Sequence, residues 1–258
     1  MIEVRDLQKS FGGVRAVRGC SFTVPTGSIT ALIGPNGAGK TTVFNIIAGF
    51  LRPDAGRVLL DGEDVTGLAP HRLYRRGLVR TFQIPRMFDR MTVLESLLVP
   101  PVGQLGENLV HAWFSRDRVR RQEAKLVARA REVLDLLGLR HLEGERAGHL
   151  SGGQKKLVEL GRVLMSPCRT VLLDEPGAGV NRTLLSRIVD LIRRLNREAG
   201  YTFCIVEHDM DLVARLCDPV IVMAEGRVLT QGRFEDIRRN REVIDAYLGA
   251  VAVEEEEA

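Results

Sequence analysis

The chain has no stretch able to cross a membrane: nowhere in its 258 residues do apolar side chains approach the run of roughly 18 that a spanning helix takes. The amino terminus, Met1-Ile2-Glu3-Val4-Arg5-Asp6, lacks the apolar centre of a signal peptide, so the chain is expected to stay in the cytoplasm. Cysteine is scarce and badly spaced for metal. Cys20, Cys168, Cys204 and Cys217 form no ligand pattern and three of them stand in apolar surroundings, which argues for buried thiols against disulfides or a zinc site. Positive charge is in only small excess, a formal +4. The densest basic patch, Arg116, Arg118, Arg120 and Arg121, has two readings, contact with acidic lipid headgroups or an ordinary solvated face. With 45% hydrophobic and 27% charged residues, the chain can bury a full core and is not disordered.

Against that background, Gly34-Pro35-Asn36-Gly37-Ala38-Gly39-Lys40-Thr41-Thr42 matches the phosphate-binding pattern G-x-x-x-x-G-K-[ST] at every fixed position. Its glycines let the backbone bend with N–H groups turned inward, to cradle phosphate oxygens that a Cβ would hold away. Lys40 supplies positive charge for the β- and γ-phosphates of a nucleoside triphosphate. Thr41 offers a hydroxyl to Mg²⁺, and the helix that starts there adds the positive end of its dipole. The flanks agree. Ser28-Ile29-Thr30-Ala31-Leu32-Ile33 reads as a buried strand entering the loop, and Val43, Phe44 and Ile47 share one helical face leaving it, closed by Gly49.

Further candidates are placed by local pattern. Ile2-Glu3-Val4 and Cys20-Ser21-Phe22-Thr23-Val24 read as short strands of an antiparallel edge, broken by turns at Gly12-Gly13 and Pro25-Thr26-Gly27. Phe11, just before the first turn, can lie flat on adenine or belong to the core. Gln83 falls on a loop or strand end, where its amide can reach a metal ion or water, or simply face solvent. From Met91 to Leu137 the pattern is helical, interrupted by a loop from Pro100 to Arg121 that carries Trp113, the only tryptophan. Ser151, followed by Gly152, Gly153 and Gln154, opens a helix and makes either a second anion site or a plain cap. Thr170-Val171-Leu172-Leu173 is a buried strand ending in Asp174-Glu175, where an open α/β sheet places its chemistry. Asp174 suits Mg²⁺ beside Thr41, and Glu175 can take a proton from an attacking water. Asn181 is placed to cap the helix from Arg182 to Leu195. Another buried strand, Phe203-Cys204-Ile205-Val206, delivers His208 to the same edge, and a hairpin around Glu225-Gly226 closes the domain.

In this order, these motifs resemble the ATP-binding subunits of ABC transporters over essentially the whole chain. Gly34 to Thr42 resembles the Walker A loop, Gln83 the Q-loop, Leu150-Ser151-Gly152-Gly153-Gln154 the signature, Val171 to Glu175 Walker B, and His208 the switch histidine. Phe11 falls on the adenine platform. The resemblance implies an α/β fold with a P-loop NTPase core, an antiparallel β edge and a helical lobe at about residues 84–160, inserted in a single domain of residues 1–258. It implies ATP and Mg²⁺ as cofactors. ATP would be contacted by Phe11, by Gly34, Pro35, Asn36, Gly37, Ala38, Gly39, Lys40, Thr41 and Thr42, and by Ser151, Gly152, Gly153 and Gln154 across a dimer. Glu175, His208 and Gln83 are implied as catalytic, and Thr41, Gln83 and Asp174 as metal ligands.

The implied partners are transmembrane permease subunits, a second ATP-binding subunit that is this chain or a paralogue, and indirectly a periplasmic or extracellular substrate-binding protein, with no nucleic acid. The implied location is peripheral, on the cytoplasmic face of the cell membrane. Pro85, Met87 and Phe88 beside Arg86, Asp89 and Arg90 are the expected permease contact, or else a buried part of the lobe. Phe11-Gly12-Gly13, Val79-Arg80-Thr81-Phe82-Gln83, Glu207-His208-Asp209-Met210 and Tyr247-Leu248-Gly249 resemble the branched-chain amino acid importers, with urea importers and lipopolysaccharide exporters as alternatives. Non-transport ABC ATPases are the rival class, but Gln83 and Ser151 stand too close for the long arms of DNA-repair members, and one set of motifs does not match the translation-linked ones. The signature speaks against a small-molecule P-loop kinase. One departure is Ala178-Gly179-Val180-Asn181 where most members carry an aspartate, which removes a charge while keeping a helix cap.

Overall fold

The computed structural model describes residues 1–82 and 87–247, with the backbone alone at 110–112. Strands β1 (Ile2–Phe11), β2 (Val14–Val24) and β3 (Ile29–Ile33) lead into helix α1 (Lys40–Ile47), followed by β4 (Ala55–Leu60), β5 (Glu63–Asp64), α2 (Pro70–Arg75) and β6 (Leu78–Arg80). Next come α3 (Val93–Leu98), α4 (Leu109–Phe114), α5 (Arg116–Leu137) and α6 (Gly152–Met165). The chain then runs through β7 (Thr170–Asp174), α7 (Arg182–Ala199), β8 (Thr202–Val206), α8 (Met210–Leu216), β9 (Val220–Ala224), β10 (Arg227–Gly232) and α9 (Phe234–Ile237). It divides into two compact units, one of Met1–Arg80, Arg169–Ala178 and Leu185 onward, the other of Thr81–Cys168 and Gly179–Leu184.

The first unit holds two sheets. One has six strands in the order β10-β9-β3-β8-β7-β6, all parallel except for β10, which forms the closing hairpin with β9. Every residue of β3, β8 and β9 is buried, as continuous apolar runs require when a parallel strand is covered on both faces. A parallel sheet sends its carboxyl ends to one edge. Because β8 lies between β3 and β7, that edge gathers Gly34, Glu207 and Asp174. The other sheet, β2-β1-β4-β5, is antiparallel. Its Ile2, Leu7 and Val58 join Leu32, Cys204 and Met223 of the parallel sheet and Val43, Phe44 and Ile47 of α1 in one core. Each such side chain stabilises the fold by roughly 1.5–3 kcal/mol on burial.

β1 and β2 are longer than the expected Ile2-Glu3-Val4 and Cys20 to Val24. Register shifts between Val4 and Leu7 and between Lys9 and Ser10 break the period-two alternation, with Asp6 at φ 45°, while the ladder continues past them. All four cysteines are free and buried. Burial pushes Cys20 and Cys217 up to about 12 and Cys168 up to about 11, and raises Cys204 further. Such thiols are packing groups rather than nucleophiles.

In the second unit, Leu97 of α3, Val133 and Leu137 of α5 and Leu157 and Leu160 of α6 are buried. A Cβ on Gly161 would come within 2.8 Å of Leu137 Cδ1 and 2.9 Å of Leu97 Cδ2, so the glycine sets how closely these helices approach. The interrupting loop expected from Pro100 to Arg121 is corrected by α4 and by the start of α5 at Arg116. Arginine favours the helix, but residues 116–121 are exposed except for half-buried Val119, so no apolar stripe marks their periodicity. Among the described residues no helix is long and apolar enough to cross a membrane.

Candidate functional site

The loop from β3 to α1 is shaped by its own chain as well as by its ligand pattern. A Cβ on Gly34, at φ +150°, would lie 2.0 Å from the Met223 carbonyl oxygen, and one on Gly39, at φ +94°, 2.5 Å from that of Ala16. At Gly37, φ +74°, nothing lies within 4 Å. Two of the three glycines are therefore compelled by neighbouring backbone, and Gly37 by its conformation. Lys40 is buried, and its Nζ donates to the carbonyls of Gly34 at 2.7 Å and Pro35 at 2.8 Å. Burial lowers its pKa, with the Glu175 charge acting the other way. α1 has no side-chain cap after Gly39, which leaves its first-turn N–H groups for an anion. Asn36 and Thr41 are exposed there, Ala38 is buried, and Pro35 and Thr42 are half-buried. The Tyr247 hydroxyl is buried facing Gly34 without closing a full hydrogen bond, and burial pushes its pKa up to about 12.

At the neighbouring strand end, Asp174 accepts from Arg80 Nη2 at 2.6 Å, the two side chains being 14% and 7% exposed. Arg80 Nη1 donates to Asn45 Oδ1 of α1, and the guanidinium lies 5.7 Å and 5.8 Å from the ring centres of Phe44 and Phe50. Glu175 adopts φ 47°, rare for a residue with a Cβ, and its N–H donates to the Val206 carbonyl at 2.9 Å. Its Oε1 lies 3.0 Å from His208 Nε2. A carboxylate only accepts, so Nε2 carries the proton.

Glu207, one residue before His208, is a buried acid whose contacts the motifs alone do not show. Its Oε1 accepts from the Gly177 N–H at 2.8 Å, and its Oε2 from the N–H groups of His208 at 3.1 Å and Asp209 at 3.5 Å. One buried carboxylate thus ties the loop after β7 to the loop after β8. Burial raises its pKa, opposed by these three N–H groups. The signal was present, since an acid ending a wholly buried apolar strand needs several donors.

Phe11 ends β1 at 47% exposure, with Lys9 Nζ 5.6 Å from its ring centre, so the core alternative falls. In the second unit, Ser151 Oγ accepts from the Gln154 N–H at 3.3 Å while Gln154 Oε1 accepts from the Ser151 N–H at 2.9 Å, a reciprocal cap of α6. A Cβ on Gly153 would lie 2.2 Å from Leu184 Cδ2, but Gly152 has nothing within 4 Å and is the open position. Asn181 Oδ1 accepts from the Leu184 N–H at 2.9 Å, as a cap should. Phe88 is exposed, with the Arg162 guanidinium 5.7 Å from its ring centre. Gln83, Pro85 and Arg86 lie outside the described residues.

The oxygen donors suit Mg²⁺. Asp174 and Thr41 are a carboxylate and a hydroxyl, and Mg²⁺ that accompanies a nucleotide takes its remaining ligands from phosphates and water rather than from a protein cage. Among the described residues no three His, Cys, Asp or Glu side chains converge on one point.

Comparison with known proteins agrees with this geometry. The ABC transporter family model matches residues 17–178, and that of the branched-chain amino acid ATP-binding cassette transporter matches residues 227–253. The chain is 42% identical over 254 residues to the "Probable branched-chain amino acid transport ATP-binding protein LivG" of Archaeoglobus fulgidus, covering 97% of this chain and 96% of that one. It is 40% identical over 249 residues to the high-affinity branched-chain amino acid transport ATP-binding protein BraF of Pseudomonas aeruginosa, covering 96% and 98%. A crystal structure of the ADP conformation of an ATP-binding cassette of an ABC transporter matches with a TM-score of 0.81 at 38% identity, over 96% of this chain and 98% of that one. Motif order, sheet order and family models coincide along the sequence: the chain belongs to the ATP-binding cassettes of ABC transporters, within their branched-chain amino acid group.

Proposed function

We propose that this chain hydrolyses ATP to drive an importer of branched-chain amino acids through separate membrane subunits. The observation that carries the reading is the Glu175–His208 contact at 3.0 Å, on the sheet edge that also bears the Lys40 loop. Phe11 stacks on adenine, and Gly34 to Thr42 with the uncapped start of α1 holds the phosphates. Glu175 takes the proton of the attacking water, while the Nε2–H of His208 fixes the direction of its carboxylate. A positioned base of this kind is worth roughly 10²–10⁴-fold in rate. Thr41 and Asp174 with Gln83 would hold Mg²⁺, which would neutralise phosphate charge there. Arg80 holds the Asp174 carboxylate in place.

Ser151, Gly152, Gly153 and Gln154 of a second subunit, a copy or a paralogue, complete each site, so ATP closes the pair and hydrolysis releases it. Residues 1–258 act as one ATPase domain, with residues about 84–160 as its helical lobe, at the cytoplasmic face of the membrane. Met87 and Phe88, rimmed by Asp89 and Arg90, meet the permease, which in turn meets the substrate-binding protein. No nucleic acid takes part. The test is reconstitution with the cognate permease subunits and binding protein in proteoliposomes. ATP-dependent leucine uptake that isoleucine and valine compete away is the expected result. Urea uptake in its place, or leucine uptake that persists when this chain is left out, would refute the assignment.

A further inference from the structure

Three side chains of α4 stand apart from the rest of the surface. Leu109, Trp113 and Phe114 are 86%, 73% and 82% exposed, the highest values among the large apolar residues described. Leu109 and Trp113 are four residues apart on a helix and so share a face. The segment before α4 is tied down rather than loose. Gln122 of α5 accepts from the Leu105 N–H at 2.7 Å and donates to the Gly103 carbonyl at 3.1 Å, and Gln104 donates to the carbonyls of Leu98 at 2.9 Å and Pro101 at 3.2 Å. Immediately beyond α4, Arg116, Arg118, Arg120 and Arg121 are all exposed, against a single acid, Asp117. Arg121 Nε donates only as far as the Asp117 carbonyl, at 3.1 Å, and among the described residues none of the four guanidinium groups is held in an ion pair.

Leucine, tryptophan and phenylalanine beside unpaired arginines is the composition of a segment that lies in the headgroup region of a bilayer, rings at the acyl boundary and guanidinium groups on phosphate. We propose that α4 and the first turns of α5 form a lipid-contacting edge that docks directly on an anionic bilayer surface. Charge selects this occupant. A second copy would set the same four arginines against the first, a like-charge contact that the apolar trio would have to overcome. An anionic bilayer supplies both halves of the complement at once, an apolar layer and a sheet of phosphates. Each arginine near such a surface contributes roughly fivefold in affinity, and four together approach roughly 10³-fold. This gives the chain a hold on the membrane additional to its permease contact, and one that does not depend on the nucleotide chemistry.

Trp113 is the only tryptophan of the chain, so its emission reports on this edge without a label. The full chain is mixed with vesicles of phosphatidylcholine alone, or with a third of that lipid replaced by phosphatidylglycerol. The expected result is a blue shift and co-sedimentation with the anionic vesicles only, weakened by salt. Arg118→Glu with Arg121→Glu should weaken binding by about 25-fold or more, and Leu109→Ser with Phe114→Ser should abolish it, ATP hydrolysis by the free chain being unchanged in both. Absence of a blue shift, equal binding to neutral vesicles, or binding that survives both pairs of substitutions overturns the proposal. Self-association that Phe114→Ser relieves would give the edge to a second copy. Loss of leucine uptake in the Leu109→Ser, Phe114→Ser protein, when the wild type ignores vesicles, would give it to the permease.

Discussion

The Arg80 guanidinium and the Asp174 carboxylate meet at 2.6 Å, ninety-four residues apart in sequence and both largely out of water. The pair joins the strand before Gln83 to the strand end that bears Glu175, and through Asn45 it reaches the helix of the phosphate loop.

Removing one partner of a buried pair leaves the other charge uncompensated, at about 3–5 kcal/mol. Arg80→Met should therefore lower the melting temperature of the nucleotide-free chain by roughly 6–20 °C, at about 2–4 °C per kcal/mol for a chain of this size. Mg²⁺ should recover part of the loss in this variant and little in the wild type, because it replaces the missing cation at Asp174. Calorimetry with and without Mg²⁺ checks both, and a change within about 2 °C would show that the pair is not holding the carboxylate.

Glu207 makes stability depend on pH. Its folded pKa is raised above the ordinary 4.5, so the folded chain holds the proton more tightly than the unfolded one. The stability it contributes is whole below 4.5 and is lost as pH rises through the raised value. Glu207→Gln cannot ionise. It should start about 1–3 kcal/mol less stable, since its NH₂ faces backbone donors, and the gap to wild type should narrow as pH climbs through that window. Urea midpoints across the window decide it, and parallel curves would contradict it.

The two glycines of the α6 start should respond differently. Gly152→Ala meets nothing and should leave stability unchanged or raise it by about 0.5–1 kcal/mol, alanine being the better helix former. Gly153→Ala must displace Leu184, and should cost about 1–3 kcal/mol through overpacking. Urea unfolding of the two variants separates them. Equal midpoints would mean that Leu184 yields without cost.

Much of this site was legible locally. The phosphate loop, the apolar strand ending in Asp174-Glu175, and the caps at Ser151 and Asn181 are patterns of a few consecutive residues, each with its own physical reason. What stayed hidden depends on contacts between distant segments. Arg80 is one residue of the Val79-to-Gln83 run in sequence, and only the fold brings Asp174 and Asn45 to it. Gly153 reads as a ligand-facing glycine, whereas its lack of a side chain is set by Leu184. The first turns of α5 escaped because their exposed arginines carry no apolar stripe, and the far half of β1 because its bulges scramble the alternation.

Glu175 is proposed as the group that takes the proton from water. Single-turnover phosphate release by Glu175→Gln, at saturating ATP and Mg²⁺, tests it most directly. The expected rate is lower than wild type by roughly 10²–10⁴-fold, with ATP affinity preserved and the protein trapped as an ATP-dependent dimer. Release within about tenfold of wild type, below the least that a positioned base contributes, would assign the proton to another group.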